Sequence, residues 1–365
     1  MNIHTLVKAK TKEWGRNFVS RKTWPFWWAG LAAAGQFFFR SRPDLAELIY
    51  ARHIYPAVTF GISWIARWLP FSLTELCIAT LIIGFVYIVA AAIRRKMPVR
   101  RASYIVLAAL AILYGWFNFS WGFNYLREPL MVRLDVHQQK PDSLFFRASL
   151  LALIDQTNTN FRSVEKADQP QIDAELERAY GAARRELDLP EMAVTGRAPK
   201  YLFLNIFLNR TLTSGFFSPF FHEIHINRDL LPVEFPFTLA HEKAHQMGFA
   251  AEAEASFAGY LLCMKSKDPF IRYSARFNLL GRYLQRAQFI FSDYETIIEK
   301  IDPNVLNDFQ QLSQRIAAHR GLISDVSGIA YEHYLRANNI KDGLRNYNGV
   351  VDIMLRWEMK KQVID

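Results

Sequence analysis

Two uninterrupted apolar runs limit what this chain can fold into. Leu73 to Ile93 carries one charge, Glu75, near its start, and Ser103 to Phe123 carries none. A helix of about 20 apolar residues matches the hydrocarbon thickness of a bilayer, so both runs are read as transmembrane helices. An earlier apolar run, 24–39, is broken only by Gln36 and is just short of a comfortable span. No small-residue cleavage site precedes Arg40, so it reads as a retained third span rather than a signal peptide. Residues 44–70, with Trp64, Trp68, Arg52 and Arg67, read as an amphipathic segment lying at the interface. Trp116, Trp121 and Tyr125 form an aromatic belt at the far end of the second run.

Charge then orients these spans. The net charge is +10. Segments 1–23 and 94–101 hold six and five Lys/Arg against the single acid Glu13, which accounts for the whole excess. Three spans put both segments on one side, and the positive-inside rule makes that side the cytoplasm. Arg40 and Arg42 fall on the opposite side in this arrangement. The basic total therefore reports topology: the expected partner is the lipid bilayer, and no nucleic acid is expected. Cys77 and Cys263 form no C-x-x-C and no thiolate cluster, so no disulfide framework is expected. Residues 1–124 are read as a membrane anchor in a bacterial cytoplasmic membrane. Residues 125–365 are read as a domain outside it, in the periplasm.

That outer domain reads as α+β, mainly helical with a small sheet. Ser143 to Ile154 and Ile172 to Leu187 have helical periodicity. Tyr201 to Leu208 is short, aromatic and apolar, more strand than helix. Gly215 and Pro219 punctuate the next stretch, and 222–227 alternates polar and apolar, which predicts a hairpin ending in an edge strand. Helices are expected at about 237–247, 252–265, 269–290, 303–319, 324–338 and 347–358.

The chemistry concentrates in H-E-x-x-H, formed by His241, Glu242 and His245. Residues four apart share a helix face, so the two imidazoles can meet one ion. Glu242 lies about 100° round the helix, beside the open coordination position of a zinc hydrolase. A short strand feeding such a helix is the core of zincin metallopeptidases, in which an edge strand pairs with an extended peptide; the strand candidate here is 221–227. Gly248 ends or bends the helix, so a third ligand should follow closely. One group of zincins uses a Glu in the pattern E-x-x-A/S-D/N. Glu252, Ala255 and Ser256 resemble it, with Ser in place of the acid or amide. Glu252 is thus the first candidate and Glu254 the alternative, with Ser256 placed to support the ligand shell.

The expected function is a membrane-anchored, zinc-dependent peptidase acting on a peptide or protein. Zn2+ held by His241, His245 and Glu252 would leave a fourth position for water, and Glu242 would be the base. Candidate oxyanion donors are Tyr331, His222, His225 and His333, with Tyr331 preferred. The alternative is a catalytically silent, zinc-containing binding or scaffold domain; a structural zinc needs no base, which counts against it. An intramembrane protease would place the motif in an apolar stretch, but 241–254 holds three Glu and a Lys.

Several further motifs carry a resemblance. They are W-G-x-N-Y at 121–125, S-G-F-F-S-P at 214–219, I-N at 226–227, H-E-K-A-H-Q-x-G from His241 and E-x-E-A-x-F-x-x-Y-L from Glu252. Y-E-H-Y-L-R-A-N at 331–338 and K-D-G-L-R-N-Y at 341–347 complete the set. Together they resemble the bacterial family catalogued as domain of unknown function 3810, over nearly the whole chain. The resemblance implies a membrane-anchored, zincin-like protein of no settled substrate. The stretch from His222 to His225 is unlike that pattern, and neither histidine takes a role from it.

Overall fold

A computed structural model of the chain describes residues 22–136, 141–189, 198–338 and 349–364. Most of the basic segment 1–23 and the motif at 341–347 lie outside the described residues.

Helix α1 spans Trp24–Ser41. A π-helical stretch, Ala46–Ile54, leads directly into α2, Tyr55–Ala66. Helices α3, Leu73–Ile93, and α4, Val99–Ser120, follow. The Ser72 hydroxyl caps α3 by accepting from the Glu75 amide at 2.9 Å. Among the described residues, α3 and α4 are the helices long and apolar enough to cross a membrane. That makes two candidate spans rather than the three expected. The 24–39 run does form α1, but three tryptophans, Gln36 and Arg40 lower its apolarity.

Helix α1 lies along α4. The Tyr104 hydroxyl donates to the Lys22 carbonyl at 2.7 Å, the Trp28 indole lies over Gly115, and the Phe39 and Phe123 rings are 5.3 Å apart. Positions rise together along both helices, so they run parallel and their starts share one end. Helix α3 runs the opposite way. Almost none of it is covered by the rest of the protein, and residues such as Ile83 and Tyr87 stand more than two-thirds exposed.

The remainder is mainly helical. Its elements are α5 (Ser143–Thr159), α6 (Gln169–Ala183), α7 (Ile206–Arg210), β1 (Gly215–Ser218), β2 (Glu223–Ile226), α8 (Phe235–Gln246) and α9 (Glu252–Met264). Then come α10 (Pro269–Ala287), α11 (Pro303–His319), α12 (Leu322–Ala337) and α13 (Gly349–Ile364). Helix α10 buries Phe270, Tyr273, Phe277, Leu280, Leu284 and Ala287, a stripe spaced three and four apart. Helix α8 is buried on every side and packs against α9 at the centre of the domain. Gly259 makes that contact close: a Cβ there would lie 3.0 Å from the His241 amide nitrogen.

Residues 44–70 do more than lie at an interface. Tyr50 and Tyr55 enter the same core as α8, and the Tyr55 hydroxyl donates to the Gln246 carbonyl at 2.8 Å. Strands β1 and β2 pair antiparallel, from Gly215 opposite Ile226 to Ser218 opposite Glu223. The strand expected at 201–208 is not one. That segment turns and forms α7 instead, with Phe203 and Phe207 facing outward.

Candidate metal centre

Pro236 is the second residue of helix α8, and its missing N–H is no loss in the first turn. The Phe237 amide is met by the Ser274 hydroxyl at 3.1 Å. Lys243, almost wholly buried, is held by Asp173 at 2.8 Å and by Glu177, both on α6. A buried ammonium needs such partners. With Lys243 tied to one side, the opposite face presents His241 and His245 to the cleft.

The chain leaves α8 at Gly248, in the left-handed region at φ +92°. It re-enters a helix at Glu252, so the first side chain of α9 returns to the two imidazoles. His241 Nε2 is 3.1 Å from Glu252 Oε2 and 3.1 Å from His245 Nε2, and His245 Nε2 is 3.5 Å from the same carboxylate oxygen. Zinc bonded to nitrogen and oxygen at about 2.0–2.2 Å in a tetrahedron sets its ligands about 3.3 Å apart. The three atoms therefore already stand at ligand spacing. The other ring nitrogens are engaged as well: His245 Nδ1 donates to the Phe249 carbonyl at 2.7 Å, and His241 Nδ1 meets the Ser256 hydroxyl at 3.2 Å. A carbonyl can only accept, so Nδ1 of His245 carries the hydrogen and its Nε2 lone pair is left for a cation. His241, His245 and Glu252 could thus hold a metal ion.

Electrostatics agree with that donor set. Burial works against charge on His245, but the Glu252 carboxylate outweighs it and raises the ring to about 9. Burial likewise opposes ionisation of Glu252, yet the two imidazoles pull its carboxyl well below the usual range. A divalent ion held there would supply the positive charge that Glu252 here draws from the imidazoles. Glu242, 5% exposed, is raised by burial, against the pull of both histidines and of the Phe217 amide that donates to it. Glu254 points elsewhere: its carboxylate accepts from the Leu130 amide at 2.7 Å.

A cleft of about 560 Å³ opens over this cluster. Glu242, His241 and Ser256 line it, with β1 on one wall, Asn278 and Arg282 of α10 on another, and Tyr331 of α12 above. The strand beside the cleft is β1, not the expected 221–227. Ile224 and Ile226 spend their backbone groups on Lys200, at 2.8 and 3.2 Å. Alternation then turns Glu223 and His225 toward β1 and leaves the main-chain groups of Gly215 and Phe217 facing away from β2.

Of the four candidate donors, Tyr331 reaches the cluster, where its hydroxyl donates to Glu252 Oε1. His222 is buried behind the hairpin against the Ser120 carbonyl, at 3.2 Å. His225 stacks on Phe216 at 4.5 Å and meets the Ser72 hydroxyl at 2.8 Å; burial lowers it to about 4. His333 is exposed and does not line the cleft.

Residues 50–355 match the profile of a family described as a protein of unknown function, DUF3810. The chain belongs to the DUF3810 family. No curated protein and no solved structure matches it.

Two pieces of this DUF3810 chain acquire a purpose from the geometry. The Trp121 indole of W-G-x-N-Y donates to the His245 carbonyl at 3.2 Å, and Arg127 donates to the Gly248 carbonyl at 2.9 Å. With Tyr55 on Gln246, three side chains from before residue 128 hold carbonyls at and just past the end of α8. These caps escaped the sequence reading; the aromatic cluster around Trp121 was the one signal near any of them.

Proposed function

We propose that this DUF3810 protein is a membrane-anchored metallopeptidase with zinc as its ion, its cleft on the extracytoplasmic side of a bacterial cytoplasmic membrane. The observation that carries this reading is the convergence of His241, His245 and Glu252, with Glu242 beside them and the edge of β1 that faces away from β2 turned to the same cleft. A zinc ion held there would supply a Lewis acid for the substrate carbonyl and acidify a water to a pKa of roughly 7. Glu242 takes the proton of the attacking water and returns it to the departing amine. The main chain of β1 aligns an extended peptide by strand pairing. The Tyr331 hydroxyl holds Glu252 in place and is positioned to turn to the developing oxyanion.

Helix directions support this sidedness. The starts of α1 and α4 share an end, with Arg94, Arg95 and Lys96 at the turn before α4. The hairpin and α8 sit at the other end, where α3 begins. The basic end is the cytoplasmic one, and the cleft lies across the membrane from it.

The test is to purify the whole chain in detergent, measure its metal content, and compare cleavage of a peptide library by wild type and Glu242→Gln. The whole chain is required because Tyr55 and Trp121 cap α8. We expect about one zinc per chain in both proteins, with cleavage reduced about a hundredfold or more in the variant. Metal-free protein would overturn the metal centre. Zinc without cleavage by either protein would leave a zinc-containing binding domain.

A further inference from the structure

The segment from Phe203 to Phe207 is built the wrong way round for water. Phe203 is 86% exposed, Phe207 60% and Ile206 57%. Meanwhile the polar residues of the same short segment turn inward. The Asn205 amide donates to Asn227 Oδ1 at 3.0 Å and its carbonyl accepts from the Arg228 amide at 3.1 Å, while Asn209 bonds Asp229 and accepts from Asn227 at 2.8 Å. Polar groups inside and aromatic groups outside is the arrangement of a surface bathed in hydrocarbon. In water such a patch is a liability.

What lies next to it identifies the hydrocarbon. The Phe203 amide donates to Glu75 Oε2 at 2.8 Å, and the Leu204 amide to Glu75 Oε1 at 2.9 Å. Glu75 is in the first turn of α3, one of the two helices apolar enough to span a membrane. The single carboxylate of α3 thus clamps the segment at the level where α3 begins. Trp64, Trp68 and Phe71, on the approach to that same turn, are each about half exposed or more. Aromatic side chains at this depth are what membrane–water interfaces select.

We propose that Phe203–Phe207 is a wedge inserted among the acyl chains of the outer leaflet, locked to α3 through Glu75. The clamp also sets the height of the cleft. Thr211, four residues after Phe207, already lines the cleft wall that continues into β1. The catalytic cleft therefore opens just above the bilayer surface. Its substrates are polypeptide segments held at that surface, such as the juxtamembrane part of another membrane protein. The wedge rests on reading α3 as a membrane span, and the substrate class rests also on the peptidase reading proposed above.

The test uses the full chain in phosphatidylglycerol–phosphatidylcholine nanodiscs, in a Cys77→Ser background; Cys263 is fully buried and does not label. A bimane label is placed at Phe203→Cys or Phe207→Cys, at Val86→Cys in mid-α3, and at Asp155→Cys on α5. Quenching is read with lipids spin-labelled near the headgroup or near the chain end. The side chains replaced at 203 and 207 are exposed, so neither change removes core packing. We expect the headgroup-proximal nitroxide to quench both wedge positions, the chain-end nitroxide to quench position 86, and neither to quench position 155. Quenching at 86 with positions 203 and 207 behaving like 155 would overturn the wedge and leave the span standing. No quenching at 86 would overturn the span itself, and the wedge with it.

Discussion

The Trp121 indole nitrogen lies 3.2 Å from the carbonyl oxygen of His245. The residue that ends the last apolar helix thus caps the helix that carries the two candidate ligand histidines. Trp121→Phe deletes this donor and shrinks a buried indole to a single ring. We expect a loss of about 2–3 kcal/mol in unfolding free energy, from the hydrogen bond and from the space the smaller ring leaves. Because His245 is then held less firmly, metal affinity should fall about tenfold. Chelator competition measures the second effect; unchanged affinity would show that the cap does not orient the ligand.

Glu252 and Glu254 separate by opposite outcomes. Glu252→Ala removes one of three converging donors and should abolish stoichiometric metal binding, read by elemental analysis of the purified chain. Glu254→Ala should retain the metal. It leaves the Leu130 amide without its carboxylate acceptor, at a cost of about 2 kcal/mol visible in denaturant unfolding. The reverse pattern would make Glu254 the ligand.

Gly259 tests how tightly the ligand helix is docked. A Cβ there would sit 3.0 Å from the His241 nitrogen and 3.2 Å from the Ala240 carbonyl carbon, both backbone atoms that cannot rotate away. Gly259→Ala should therefore push α9 off α8, costing about 1–3 kcal/mol by overpacking. Glu252 moves with α9, so metal affinity should drop in the same variant. Gly181, where an added Cβ meets nothing, is the control: Gly181→Ala should leave the metal in place.

How much of this was legible depended on distance along the chain. His241, Glu242, His245 and Glu252 fall within twelve residues, and helical spacing plus the turn at Gly248 is enough to bring them together. Gly215, Pro219 and the alternation after His222 likewise announced a hairpin. Which strand borders the cleft was not legible, because it turns on Lys200 occupying the far edge of β2. Residues 201–208 misled for a different reason. An apolar, aromatic stretch reads as a buried strand, and nothing in its period says that its apolar side faces out while Asn205 and Asn209 face in. The caps on α8 join residues 191 and 124 positions apart, beyond any local pattern. Run length alone counts α1 as a third span, whereas Trp24, Trp27 and Trp28 at its start favour an interface over hydrocarbon.

Glu223 gives a pH-dependent test of the joint between hairpin and α3. Its carboxylate, 1% exposed, accepts from the Leu73 and Thr74 amides at 3.0 Å each, from the Thr74 hydroxyl at 2.8 Å and from Lys200 at 2.7 Å. Burial opposes its ionisation, but Lys200 and these donors outweigh burial and hold the carboxyl below its ordinary value of 4.5. A lowered value in the folded state means that the unfolded chain takes up the proton first as pH falls. The stabilisation from Glu223 is then complete above about 4.5 and is lost as pH drops through the lower folded value. Glu223→Gln should cost about 3 kcal/mol at neutral pH, since it breaks a buried ion pair. The gap in thermal midpoint between wild type and variant should close below pH 4.5, because the wild-type side chain becomes neutral too. A gap that stays constant into acid would show that the charge on Glu223 does not hold the hairpin to α3.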